Sequence, residues 1–96
     1  MQEITKKSIN YRLIPQLIAS SGSIGANYRE ANDALGRKDF VHKLRIARKE
    51  SKESHHWLRL LYEANIELNI KNEIELLINE VIELRNILSS IINKAQ

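Results

Sequence analysis

The sequence predicts an all-α fold: an up-and-down antiparallel helical bundle, with three helices in a single domain spanning residues 1–96. Three observations predict it. Apolar residues recur at alternating steps of three and four along most of the chain, the spacing of one face of a 3.6-residue helix. No alternating stretch long enough for a strand is present. Ile, Leu, Glu, Lys and Asn are abundant, against three Gly and one Pro, a composition that favours helix.

The longest uninterrupted pattern runs from Gly36 to Asn65 and reads as a helix over about 37–64. It carries two stripes. Phe40, Leu44, Ala47, Ser51, Ser54, Leu58 and Leu61 make one mostly apolar or small face for packing. Lys38, His42, Arg45, Lys49, Lys52, His56 and Arg59 recur at the same steps, about 200° further round. The second face is for water or an anion. Asp39 suits the first turn of this helix, and Asn65 is expected to end it in a left-handed cap.

Residues 1–10, MQEITKKSIN, are short and polar and are expected to form a tail or remnant. A helix over about 11–34 follows, with Pro15 in its first turn or kinking it. Leu13, Leu17, Ser20, Ile24, Asn27, Ala31 and Ala34 form its main stripe, and SSGSIGAN makes its middle unusually small. Gly22 and Gly25 each cost roughly 1 kcal/mol relative to Ala in a helix, so a close crossing against Ala47, Ser51 and Ser54 is expected to offset them. A phosphate-binding loop is the sharper reading of SSGSIG, but no strand precedes it and no GK[ST] follows.

IELNIKN reads as a connector, and the last helix as about 72–94. Ile74, Leu77, Val81, Leu84, Leu88 and Ile91 make a heptad seam there, widened by Leu76, Ile78, Ile82, Ile87 and Ile92. So broad an apolar arc exceeds what one neighbour covers and points to a subunit interface.

Composition narrows the function classes. At 96 residues the chain has room for one small core. With no cysteine it has neither disulfides nor thiolate metal ligands. No apolar run is long enough for a membrane span and no signal peptide is visible, so a cytoplasmic protein without a membrane partner is expected. The net charge of +3 is uneven: residues 1–62 carry 12 Lys/Arg and 6 Asp/Glu, residues 63–96 carry 3 and 6. That asymmetry suits either a nucleic-acid surface or contacts between protomers.

Candidate chemical sites are few. Asn27 and Glu30 stand three apart, as do Glu50 and Glu53, and are read as a structural polar network across the bundle rather than an acid–base pair. Glu53 and His56 alone have the Glu-x-x-His spacing of a di-metal bundle site. His42 and His56 are about 21 Å apart along one helix, too far to share an ion. We therefore expect no metal, no cofactor and no enzymatic activity. Trp57, Tyr62 and Tyr28 could stack on bases, but Trp57 adjoins the packing stripe. The cationic stripe is the remaining candidate: Lys38, Arg45, Lys49, Lys52 and Arg59, with Arg37 and Arg48 alongside, are the residues expected to contact nucleic-acid phosphates.

Gln16-Leu17, SSGSIGANYREA from Ser20 to Ala31, and DFVHKLRIARKESKESHHWL from Asp39 to Leu58 strongly resemble the four-helix-bundle proteins encoded in intervening sequences of bacterial 23S rRNA genes. The resembling elements are S-x-SIGAN-x-x-EA, the Asp39-Phe40 opening of the long helix, and Glu50, Glu53, Trp57 and Leu58 in an E-x-x-E-x-x-x-WL pattern. The resemblance spans roughly residues 10–92 and implies a ring-shaped homopentamer without enzymatic activity. A related family, the accessory subunits of diversity-generating retroelements, implies RNA or DNA binding, rRNA included, and a reverse-transcriptase partner. This chain departs from the pattern in one respect: members have a complete amphipathic helix before the Gln16-Leu17 segment, where only about ten residues stand here. The expectation is a bundle lacking most of the first helix and relying on oligomerisation or helix exchange.

Overall fold

Three helices, α1 (Gln2–Asn32), α2 (Arg37–Ala64) and α3 (Leu68–Ala95), account for nearly the whole chain. They are seen in a computed structural model that describes the backbone of residues 2–96 and the side chains of residues 10–96. Contacts at opposite ends fix the directions. Asn10 meets Asn65 while Glu30 meets Lys43, so α1 and α2 are antiparallel. Lys71 meets Tyr62 while Ser89 meets Arg48, so α2 and α3 are antiparallel too.

The N-terminal expectation is corrected. Residues 2–10 belong to α1 and form no separate tail. Their polarity argued against a core element, but Gln, Glu and Lys are strong helix formers and nothing among them breaks a helix. Pro15 consequently sits inside α1 and not in its first turn. Its missing amide proton leaves the Tyr11 carbonyl without the usual donor four residues on, at a residue that water reaches freely.

Gly36, with an extended backbone, precedes α2 and contributes no side-chain cap, so Asp39 in the first turn supplies the compensating negative charge. The far end of α2 also differs from expectation. Asn65 has φ −111°, an extended conformation and not a left-handed one. Its side chain does the capping, with Nδ2 donating to the Leu61 carbonyl at 2.7 Å. Only three residues then separate α2 from α3, which begins at Leu68, four residues earlier than the sequence suggested. In the first turn of α3 the Lys71 ammonium lies 4.0 Å from the centre of the Tyr62 ring, pinning the corner.

α2 is the central element. Val41, Leu44, Ala47, Ser51, Ser54, Leu58 and Leu61 are its buried residues, which matches the predicted stripe except that Phe40 is half-buried and Val41 is fully covered. Two apolar clusters lie along it. Leu44 and Ala47 gather Ile24 and Ala31 from α1 and Leu88 and Ile92 from α3. Leu58 and Leu61 gather Ile74 and Ile78, with Leu13 and Leu17 packed against them. Between the clusters Ser51 and Ser54 are wholly buried.

Among the described residues, α1 and α3 each pack on α2 and make no close backbone approach to one another. Two expectations fail for that reason. The buried strip of α3 is narrow and centred on Ile74, Ile78, Leu88 and Ile92, whereas Leu77 of the predicted seam is exposed, because only one helix lies against α3. Gly22 and Gly25 take no part in the α1–α2 crossing: both are exposed, and a Cβ added at either would meet nothing within 4 Å. The small residues that do lie between the helices are Ser20, Ala31, Ala47, Ser51 and Ser54.

The resulting shape is long and thin, 54 × 19 × 13 Å. Its radius of gyration is 15.6 Å, against about 12.5 Å for a compact domain of this length. A layer this thin leaves apolar side chains in water, including Tyr11, Ile14, Ile18 and Tyr28 on α1 and Leu76, Leu77 and Ile87 on α3.

Candidate nucleic-acid interface

The cationic stripe is built by α2 alone, because one rigid helix repeats Lys, Arg or His at every position of a single face. Lys38, His42, Arg45, Lys49, Lys52, His56 and Arg59 are all exposed. From Lys38 to Arg59 they extend about 31 Å at the α-helical rise. Among the described residues none of the seven forms an ion pair with a carboxylate; the cross-helix pair that does form uses Lys43 and Glu30 at 2.9 Å. At its C-terminal end the stripe stops at Glu63, also exposed.

The two flanking arginines differ. Arg37, the first residue of α2, is exposed and borders an open cleft of about 850 Å³ that Lys38, His42 and Arg45 also line, with Val41 and Ala95 as its apolar floor. Arg48 is half-buried and leaves the stripe: its Nη1 donates to Ser89 Oγ on α3 at 3.4 Å. A residue one step round the wheel from the cationic face points at the neighbouring helix instead.

Arg59 is held by its own helix. Its Nε–H donates to His55 Nε2 at 3.3 Å, so the imidazole acts as acceptor. Burial pushes the His55 pKa below the ordinary histidine value, and the Arg59 and Arg85 guanidiniums push it further the same way. Lys43, by contrast, has its pKa raised by the hydrogen bond and charge of Glu30.

The predicted polar network is only partly assembled. Glu30 crosses to Lys43 of α2. Asn27 does not cross: its amide nitrogen donates back to the Ser23 carbonyl at 2.9 Å and lies 3.2 Å from Ser23 Oγ. Glu50 and Glu53 line a shallow cleft of about 380 Å³ with Gln16, Ser23 and Trp57, and neither forms a hydrogen bond within the described residues. One side of that cleft is open to water, which solvates the carboxylates without help from α1.

Other residues form the ties that were assigned to this network. Ser20 and Ser54 approach to 2.9 Å between hydroxyls. The Asn10 and Asn65 amides exchange two hydrogen bonds of 3.1 and 3.2 Å. The signal for the first pair was present, since serines stood in the packing stripes of both helices. Trp57 is half-buried and meets His56 edge to face at 4.8 Å, and Tyr62 is engaged by Lys71. Among the described residues no three His, Asp or Glu side chains are grouped closely enough to hold a metal ion, and no helix is long and apolar enough to cross a membrane.

The chain was compared with known proteins. A family model described as 23S rRNA-intervening sequence protein matches residues 1–90. A solved structure from Bacteroides thetaiotaomicron VPI-5482, described as a protein with unknown function from the S23 ribosomal protein family, is 31% identical with a TM-score of 0.71. The match covers 96% of this chain and 98% of that one. No curated protein sequence matches significantly. With nine-tenths of its length matched by the family model, and the same helical architecture in the B. thetaiotaomicron protein, the chain belongs to the 23S rRNA intervening sequence protein family.

Proposed function

We propose that this protein is a non-enzymatic, oligomeric helical protein that binds RNA or DNA through the cationic face of α2. Lys38, Arg45, Lys49, Lys52 and Arg59 make the phosphate contacts, with Arg37 beside the cleft at the start of the helix. The observation that carries this reading is seven exposed Lys, Arg and His side chains on one face, free of carboxylate partners among the described residues. No cofactor is required.

Such a face holds a phosphate backbone by charge and carries little base specificity. Five permanent cations predict a steep salt dependence: log affinity against log salt has a slope of about −4.5 on duplex and about −3.5 on single strands if all five are engaged. Filter binding of 23S rRNA fragments across a salt series tests it. Retention at low salt that falls steeply as salt rises is expected; no retention at low salt overturns the reading.

The exposed apolar side chains of α1 favour a second reading, an interaction module or scaffold such as a reverse-transcriptase accessory subunit. Capture of a protein partner that salt does not weaken would distinguish it.

A further inference from the structure

At the start of α2 the cationic stripe runs into a cavity. Lys38, His42 and Arg45 belong to the stripe and also line the open cleft of about 850 Å³, together with Arg37. Pockets for small organic ligands hold roughly 300–1,000 Å³, so this one has room for a nucleotide. Contacts to phosphates need only an exposed helix face. The cleft is therefore a feature that charge alone leaves without a use.

Its lining combines a fixed apolar floor with a cationic surround. Val41 belongs to the buried core cluster, 7% exposed, and Ala95 packs against the same cluster from the last turn of α3. The floor is held by the core beneath it. Arg37, Lys38 and Arg45 line the cleft with permanent positive charge, against one acid, Asp39. Gly36 adds no side chain to narrow it, and the space a Cβ would occupy there is empty to 4 Å. Unpaired bases are recognised by laying the ring face on apolar side chains or guanidinium planes, while cations beside them hold the adjoining phosphates.

Two other clefts border the stripe, and neither has this chemistry. Lys49 lines the cleft between α1 and α2, where Glu50 and Glu53 outnumber it. Arg59 lines a space of about 140 Å³ that it shares with Glu75. Both set carboxylates where a nucleotide would bring its own negative charge. A strand lying along the stripe thus meets room, an apolar floor and an excess of cations at one end only.

We infer that the cleft at the start of α2 seats one unpaired base of the bound nucleic acid, with the ring on Val41 and Ala95 between the Arg37 and Arg45 side chains. The ligand is a strand with an unpaired end or bulge, not a fully paired duplex. The inference rests on the nucleic-acid reading of the stripe and adds to it a feature of the nucleic acid that charge cannot select.

Filter binding of the full chain at low salt tests it with three probes of one duplex sequence: blunt, extended at both ends of one strand by three unpaired adenosines, and extended by three abasic residues at the same places. The abasic probe keeps every phosphate and loses the bases. The adenosine probe should bind at least about fivefold more tightly than the abasic one, the lower end of what stacking one base contributes. Equal affinity of those two overturns the inference and leaves the stripe standing, whereas no binding of any probe overturns both. Ala95→Trp, which fills the cleft from the last turn of α3 without changing charge, should bring the ratio to about one with helicity by circular dichroism retained. A ratio unchanged in that folded variant overturns the inference. Wild-type protein supplies a measurement independent of any variant: 4-thiouridine placed in the extension should photocrosslink to residues 36–45 or to the last turn of α3, and crosslinks confined to other segments overturn the inference.

Discussion

The Ser20 hydroxyl lies 2.9 Å from that of Ser54 in a buried layer between the two apolar clusters, and this is where α1 and α2 come together on small side chains. Ser20 also donates to the Leu17 carbonyl at 3.1 Å, so one serine can lose its partner without being stranded. Ser54→Ala should therefore cost only about 1 kcal/mol, the net worth of one hydrogen bond. Ser54→Leu should cost more, about 1–3 kcal/mol, because the layer has no room for three further carbons. Urea unfolding of both variants checks the order. A leucine tolerated as well as alanine would mean the helices are not in contact there.

The Asn10–Asn65 pair ties α1 to the C-terminal end of α2 across 55 residues of sequence. Asn65 is buried and bonds both Asn10 and the Leu61 carbonyl, so Asn65→Ala removes three hydrogen bonds and leaves the half-buried Asn10 amide unpaired. A loss of about 2 kcal/mol is expected, or a fall in Tm of roughly 8–16 °C for a domain of this size. Asn10→Ala should cost less, since Asn65 keeps its bond to Leu61. A double-mutant cycle should give a coupling of at least about 0.5 kcal/mol, and additive effects would show that the amides do not meet.

Stability should fall on acidification because of His55. Burial and the neighbouring Arg59 and Arg85 place its folded pKa below the ordinary histidine value. Above that value the ring is neutral in both states and the full stability is present. As the pH falls below it, the unfolded chain takes up a proton first and folding weakens, until the pH passes below the folded pKa and the loss levels off. Urea midpoints between pH 7.5 and 5 should therefore decline, and His55→Gln should flatten the part of the decline due to this group. Arg85→Gln should raise the His55 pKa in an NMR titration; an unchanged value would place Arg85 too far away to matter.

What the sequence could and could not show follows from the range of each interaction. The packing face of α2 was legible because its period is a property of one helix, and so was the cationic face, where seven successive positions carry no acid. The seam on α3 was read one flank too far round. Period alone shows that Leu77 and Ile78 are both apolar, whereas the number of neighbours decides that Ile78 is covered and Leu77 is not. The glycines of α1 were assigned to the α1–α2 crossing, yet both are exposed with nothing packed on them, since smallness does not say which way a face points. Asn65 was read as a helix end and Asn10 as the close of a polar tail, and nothing in the sequence linked the two, because a pairing across 55 residues has no periodic signature. Arg48 was grouped with the cationic face on proximity in sequence, and only the position of Ser89 on α3 shows that it turns away.

That difference between Arg48 and its neighbours gives the most discriminating prediction for the cationic face. Lys49 and Lys52 are exposed in the middle of the stripe and have no carboxylate partner among the described residues, so Lys49→Gln with Lys52→Gln should leave folding within about 0.5 kcal/mol of wild type. Removing two phosphate contacts should make the salt slope shallower by about 1.8 on duplex or 1.4 on single strands. Arg48→Gln removes the same charge from the same helix but from a side chain turned to α3. It should leave the slope unchanged and show its effect in stability, through the lost contact with Ser89. Filter binding over a salt series, run beside urea unfolding, separates the two variants. Equal slopes for all three proteins would remove the stripe from the binding surface, and a slope altered as much by Arg48→Gln would mean that net charge and not position governs the interaction.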